Sequence, residues 1–258
     1  MKRLFCGLLF VLSVPHAISG SLCPVPLQIG FDNWPPYHYY RADSRQPVQG
    51  VAVETLNAVL AKLGCHAHYV ELPWRRVLHE IELGKLDVAM EVSFNNDRAR
   101  YARFSESYNP GMTTLWTRKE YPNGKKELAS WLASGNILGV TKDYVYADDV
   151  IALLSRYAEQ VSVVNSDRQN YGKLMLGRID GFLGDMLATS WGVMNEGLSG
   201  QIVPHKMVIY ELPTHFLFSK RHFSLEFMRQ FDHALATFKT TPEYQRIWQR
   251  YSLTKVNG

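Results

Sequence analysis

The side chains best placed to do chemistry lie just beyond two copies of one short motif. Leu83-Gly84-Lys85-Leu86-Asp87 recurs as Leu176-Gly177-Arg178-Ile179-Asp180. Each copy closes a helical pattern and opens an apolar, strand-like one. Glu91 and Ser93 follow the first copy, and Asp185 follows the second. A carboxylate at a strand end can receive an ammonium group, and one held out of water can instead store a proton and act as an acid. Taken alone, the repeat specifies only a helix-to-strand connection. Two halves of like construction, each presenting polar groups at the same point, suggest a cleft built from both.

Other chemistry has less to stand on. His66 and His68 alternate along one strand and share a face, but two histidines without further ligands make a poor metal site. His79-Glu80 lacks the second histidine of a zinc-protease helix, and neither a Gly-rich phosphate loop nor a nucleophile elbow is present. His215 reads as structural. No metal and no cofactor are expected.

The elements that must position these groups alternate strand and helix. Residues 27–31 form an apolar strand, and 50–63 carry Val53, Leu56, Leu60 and Leu63 at helical spacing before Gly64. Residues 68–72 return as a strand, 74–83 as a helix and 86–92 as an apolar strand. After the turn signal Asn109-Pro110-Gly111 the pattern restarts with a strand at 112–118. Strands at 136–141, 161–164 and 179–183 then alternate with helices at 148–157 and 169–176. Helical patterns at 224–238 and 242–251 close the chain, Pro242 suiting a first turn. Repeated βαβ order predicts two α/β units, each a mostly parallel sheet flanked by helices. Such sheets deliver ligand-contacting residues at their carboxyl ends.

The N-terminus reads as a signal peptide over residues 1–19. Lys2 and Arg3 precede an apolar run at 4–14, and Ala17, Ser19 and Ser21 supply small residues for cleavage between 19 and 23. Those 11 residues fall short of a membrane span, which takes about 20. Leu22 before Cys23 is a poor ending for a lipid-attachment signal. Loss of Lys2 and Arg3 lowers the formal charge from +4 to +2, too little and too evenly spread to indicate nucleic acid. Cys6 leaves with the signal, so Cys23 and Cys65 remain. In an oxidising compartment the pair reads as one disulfide, with two buried free thiols as the alternative. Each cysteine lies just ahead of an apolar segment that could be one of two neighbouring strands.

At these residues the chain resembles the type 2 periplasmic solute-binding proteins, in particular the polar amino-acid-binding family of ABC transport systems. The likeness runs from Ile29-Gly30-Phe31-Asp32 and Pro35-Pro36-Tyr37 through Gly50-Val51 and the first motif copy. It continues with Asp97-Arg98-Ala99, Phe104-Ser105-Glu106-Ser107-Tyr108, the second copy and the closing Glu243-Tyr244 to Tyr251 helix. The resemblance implies a two-lobed fold: lobe 1 from residues 20–110 and 209–258, lobe 2 from 111–208, and hinges near 109–112 and 206–212. It also implies a periplasmic protein, a small-molecule ligand and a membrane permease as partner. A monomer is expected.

Residue by residue, Arg98 matches the family's arginine on the ligand α-carboxylate, and its planar fork of donors suits that group. Asp185 matches the carboxylate that receives the α-amino group. Trp34 and Trp74 match aromatic walls, with Tyr37 and Tyr144 as further wall candidates, and Ser93 matches a hydroxyl on the ligand carboxylate. Glu91 departs from the family, which commonly has a small residue there. It could bind a basic side chain with help from Asp32, or turn away to Arg75 or Arg76. The loop Thr141-Lys142-Asp143-Tyr144 departs as well.

Two other functions share this fold. Periplasmic dehydratases of cyclohexadienyl substrates would use an acid in the cleft, and Glu91 is the candidate. A binding lobe can also serve a sensor, and an end soon after Tyr251 leads us to expect a free-standing one. The favoured expectation is a binding protein without enzymatic activity.

Overall fold

The computed structural model describes residues 22–252, apart from 24, 45, 123, 125, 126 and 143. The predicted signal peptide over 1–19 therefore lies outside the described residues. Residues up to the first crossing form β1 (Leu27–Phe31), β2 (Tyr39–Tyr40), β3 (Val48–Gln49), α1 (Val51–Lys62), β4 (Ala67–Glu71) and α2 (Trp74–Leu83). They continue as β5 (Val88–Ser93), α3 (Asn96–Tyr101) and β6 (Ala102–Phe104). The second body contains β7 (Met112–Arg118), α4 (Leu128–Ala133), β8 (Leu138–Thr141), α5 (Asp148–Arg156) and β9 (Val161–Val164). It ends with α6 (Asp167–Met175), β10 (Gly181–Asp185), α7 (Met186–Asn195) and β11 (Ile202–Glu211). The chain then returns to the first body as β12 (Thr214–Ser219), α8 (Leu225–Lys239) and α9 (Pro242–Tyr251).

The fold is the two-lobed one. One sheet has the order β4-β1-β5-β12-β6 and the other β11-β7-β10-β8-β9. The expected parallel order holds across β4-β1-β5 and across β10-β8-β9, and the remaining pairings in each sheet are antiparallel. Central strands bury both faces, so each sheet carries two cores. Ile29, Phe31, Leu56, Phe216 and Phe231 pack on one side of the first sheet, and Val77, Ile81, Val92 and Leu217 on the other. Leu115, Trp131 and Leu183 fill one side of the second sheet, and Trp116, Leu174 and Phe182 the opposite one. No helix among the described residues is long and apolar enough to cross a membrane.

The repeated motif does the same structural job twice. Gly84 and Gly177 end their helices at φ 73° and 66°, a conformation glycine adopts without a Cβ penalty. The motif's aspartate then ties the new strand to its parallel neighbour. Asp87 accepts the Gln28 N–H at 2.8 Å, and Asp180 accepts the Ile137 N–H at 2.8 Å.

Cys23 and Cys65 are joined, their Cα atoms 5.1 Å apart. They lie just ahead of β1 and β4, which are indeed paired in parallel. Closing a loop between residues 42 apart is worth about 4 kcal/mol of unfolded-state entropy.

Two segments connect the bodies, and they run side by side. Leu212 donates its N–H to the Gly111 carbonyl at 3.0 Å, and Thr214 donates to that of Asn109 at 3.0 Å. A Cβ on Gly111 would stand 2.0 Å from the Leu212 oxygen, so the close approach requires glycine. Sequence periodicity does not single out β11, β12 or α7. β11 forms its ladder with a distant strand, with two register shifts. α7 contributes Leu187, Ala188 and Trp191 to the core of the other body, so it lacks the one-sided apolar stripe of a surface helix.

Candidate functional site

A cavity of about 390 Å³ lies between the two sheets. The first body supplies Asp32, Trp34, Trp74, Glu91, Ser93 and Arg98 to its wall, and the second supplies Lys142, Tyr144 and Asp185. Eight of the nine ligand-contact candidates named from sequence therefore face one space. Tyr37 does not.

Arg98 sits in the first turn of α3, whose cap residue Asn95 accepts the Arg98 N–H at 2.8 Å. Its Nη1 donates to the Ser93 carbonyl at 2.9 Å, which aims the guanidinium along the cavity wall. Partial burial lowers its pKa, yet an arginine stays charged. Neighbouring Asp97 pairs instead with Arg100 at 2.7 Å. Among the described residues no carboxylate pairs with Arg98.

Asp185 ends β10 and caps α7. Its Oδ1 accepts N–H groups from Leu187 at 3.0 Å and Ala188 at 2.7 Å. The same oxygen accepts the Tyr37 hydroxyl at 2.9 Å, a bond from one body to the other. Among the described residues Oδ2 has no donor. Burial pushes the carboxyl up to about 6, against the pull of those three donors.

Tyr37 requires a correction as a wall residue. It is 1% exposed and belongs to the core of the first body, behind Trp34, whose ring lies 4.7 Å from its own. The loop from Trp34 to His38 folds back on itself, with the Trp34 carbonyl accepting the N–H groups of Tyr37 and His38. That turn sends the indole to the cavity and the phenol inward to Asp185. Asp32 faces the cavity too, with its carbonyl 2.7 Å from His38 Nδ1.

Glu91 neither turns to Arg75 nor to Arg76, the latter being paired with Glu80. Between the pairs His215–Val92 and Leu217–Ala89 the register shifts, so Met90 and Glu91 face Phe216 alone. This bulge places Glu91 at φ 52°, a left-handed conformation that costs a non-glycine residue about 1 kcal/mol. The bulge re-aims the side chain. Oε1 accepts the Tyr108 hydroxyl at 2.6 Å, while Oε2 accepts Thr214 Oγ1 at 2.6 Å and Asn109 Nδ2 at 2.9 Å. Burial outweighs these donors and pushes the carboxyl up to about 7.

In the second body, Tyr144 lines the cavity while its hydroxyl is anchored on Asp167 Oδ2 at 2.8 Å. Thr141 Oγ1 donates to the other oxygen of Asp167 at 2.6 Å. Asp143 lies outside the described residues. Lys142, Thr113, Tyr210 and Thr214 also line the cavity, although sequence reasoning gave none of them a site role. Thr113 lies two residues past the Asn109-Pro110-Gly111 turn, which was its usable signal, whereas no local pattern marks Thr214. His66 and His68 line a separate groove beside the disulfide. Among the described residues no group of three or more His, Cys, Asp or Glu is placed to hold a metal.

The family model for bacterial extracellular solute-binding proteins, family 3, matches residues 27–254. No curated protein matches the chain. Among solved structures, an ancestral arginine-binding protein bound to arginine is 17% identical at a TM-score of 0.69, over 88% of this chain and 97% of that one. A histidine kinase sensor domain similar to periplasmic binding proteins is 18% identical at 0.68, over 88% and 95%. An ancestral amino acid-binding protein described as a precursor of cyclohexadienyl dehydratase is 15% identical at 0.67, over 88% and 95%. At such identities these likenesses speak for the fold alone.

Proposed function

The chain belongs to the bacterial extracellular solute-binding proteins of family 3, and from that premise we propose that it captures a free amino acid between its lobes for delivery to an ABC transporter permease. The carrying observation is that Arg98 and Asp185, from opposite bodies, face one cavity. The ligand carboxylate takes the Arg98 fork, and its ammonium takes Oδ2 of Asp185. Trp34 and Trp74 flank the aliphatic part. Lobe 1 (20–110 and 209–258) and lobe 2 (111–208) swing about the connecting segments near 109–112 and 206–212. A zwitterion touching both lobes favours the closed form by its differential affinity for it. Signal-directed export through residues 1–19 to the periplasm, and action as a monomer, complete the reading.

Titration calorimetry of the common amino acids tests it. Arg98→Ala removes up to two charge-assisted hydrogen bonds, worth about 3–5 kcal/mol, and should weaken every ligand by about 100-fold or more. Undiminished affinity would reject the carboxylate clamp.

Turnover is the rival reading, and the about-7 value of Glu91 is what favours it. Against it, all three partners of Glu91 donate to the carboxylate and pull its proton affinity back down, which weakens the case for it as a proton donor. Prephenate or arogenate consumed by the purified protein, and lost in Glu91→Gln, would reverse that judgement.

A further inference from the structure

A zwitterion in this cavity leaves one protein charge unmatched. Its carboxylate answers Arg98 and its ammonium answers Asp185, but Glu91 remains. Glu91 lines the same cavity while only 7% exposed. Its partners Tyr108, Asn109 and Thr214 are all neutral. Neutral donors solvate an anion without cancelling its charge, and a buried charge is ordinarily matched by an opposite one.

The surroundings do not supply that match. Among the described residues no Lys, Arg or His pairs with Glu91. The titratable groups acting on it or feeling it are Tyr37, Tyr108 and Tyr244 in its own body and Asp185 in the other, none of them cationic. Arg98 is turned to the Ser93 carbonyl, and Lys142 is exposed on the opposite body. A carboxylate offers about four acceptor positions, and Oε1 carries a single side-chain donor here. The bulge and left-handed backbone that aim this side chain would suit glycine better, so the strain is spent on presenting the acid.

We propose that the cavity is built for a cationic amino acid, and that Glu91 receives the ammonium or guanidinium group at the end of its side chain. The inference rests on the preceding reading, because a ligand not held by Arg98 and Asp185 has no side chain to direct. Asp32 is the competing receiver. It is less enclosed and sits beside His38, so water already solvates much of its charge. The high Glu91 value supplies an independent signature. Burial raises the Glu91 pKa toward neutral pH, and a cation arriving beside the carboxyl lowers it again, so binding near that pH expels part of a proton.

The experiment is calorimetry of lysine and arginine against the neutral near-isosteres norleucine and citrulline, at pH 7 in buffers of differing ionisation enthalpy. The cationic ligands should bind at least about tenfold more tightly. They should also release up to about half a proton more per ligand than the neutral ones. In Glu91→Gln the preference should shrink to within about threefold, and the excess proton release should vanish. Equal affinity and equal proton release for the two classes in the wild-type protein overturn the proposal. So does a preference that survives Glu91→Gln but disappears in Asp32→Asn. Should Glu91→Gln fail to fold, the wild-type proton counts decide. Arg98→Ala separates the two levels. Binding that survives it sinks the zwitterion reading, whereas binding lost there with the preference intact in Glu91→Gln sinks only this one.

Discussion

The same five-residue motif launches β5 and β10, yet the acids beyond it are held in opposite ways. Asp185 is held by backbone. It caps α7, and two of its three donors are amides at a helix start, where the partial positive charge favours an anion. Glu91 is held by side chains, from a bulged strand with left-handed backbone and no helix behind it. Burial raises both, but Asp185 only to about 6 and Glu91 to about 7. An aspartate starts lower than a glutamate, so the two rises are of similar size, and a helix terminus and a cage of hydroxyls and an amide offset desolvation to about the same degree. Repeated architecture can therefore carry two buried acids into one cavity and still hold them by different donors.

The largest expected effect separates charge from scaffold. Asp185→Asn keeps an oxygen for Leu187, Ala188 and Tyr37 but loses the charge. Amino-acid affinity should fall by about 100-fold while the helix cap survives. Binding within about threefold of wild type would mean that Asp185 is only a cap.

The ligand-free protein should next show a pH-dependent stability set by both acids. Their folded values exceed the unfolded ones, so the folded chain holds more protons between about pH 4 and 7. That stability is complete below about pH 4 and is lost as pH rises through 6 and then 7. Each group contributes on the order of 3 kcal/mol as an upper bound. Urea midpoints should drop between pH 5 and 8, and Glu91→Gln should flatten the part above pH 6. A flat wild-type curve over that range would mean that neither acid is desolvated.

Tyr37→Phe removes a donor that reaches Asp185 from the other body. It should cost about 1 kcal/mol and raise the Asp185 value further, moving the acid limb of ligand binding to higher pH. An unmoved limb would show that the backbone donors suffice.

The smallest effects test the motif itself. Gly177→Ala meets no neighbouring atom and should cost only the left-handed penalty of about 1 kcal/mol. Gly84→Ala meets the Arg221 side chain at 2.5 Å, a flexible group, and should cost slightly more. Denaturation that ranks the two the other way would break the equivalence of the copies.

Much of this was legible in advance for local reasons. Helical spacing marked α1, α2 and α9 within a residue or so, the motif marked the starts of β5 and β10, and the cysteine positions marked two adjacent strands. Nothing in Trp34-Pro35-Pro36-Tyr37 says which ring lines the cavity, and the structure gives that place to Trp34 and buries Tyr37. Glu91 was left between three readings because a bulge depends on a strand more than 120 residues away. β11 and β12 escaped for the same reason, as their pairing is entirely non-local.

Residue type and spacing by themselves determined the alternating α/β elements of two similar halves, the pair of cysteines ahead of two strands and the pool of polar residues beyond the strand ends, because periodicity and short motifs act through near neighbours. Only the tertiary structure decided how those residues divide the labour. Which oxygen of Asp185 is left open, and whether Glu91 is solvated, paired or caged, follows from burial and from donors brought in by the connecting segments. Those are long-range packing events, and no local pattern encodes them.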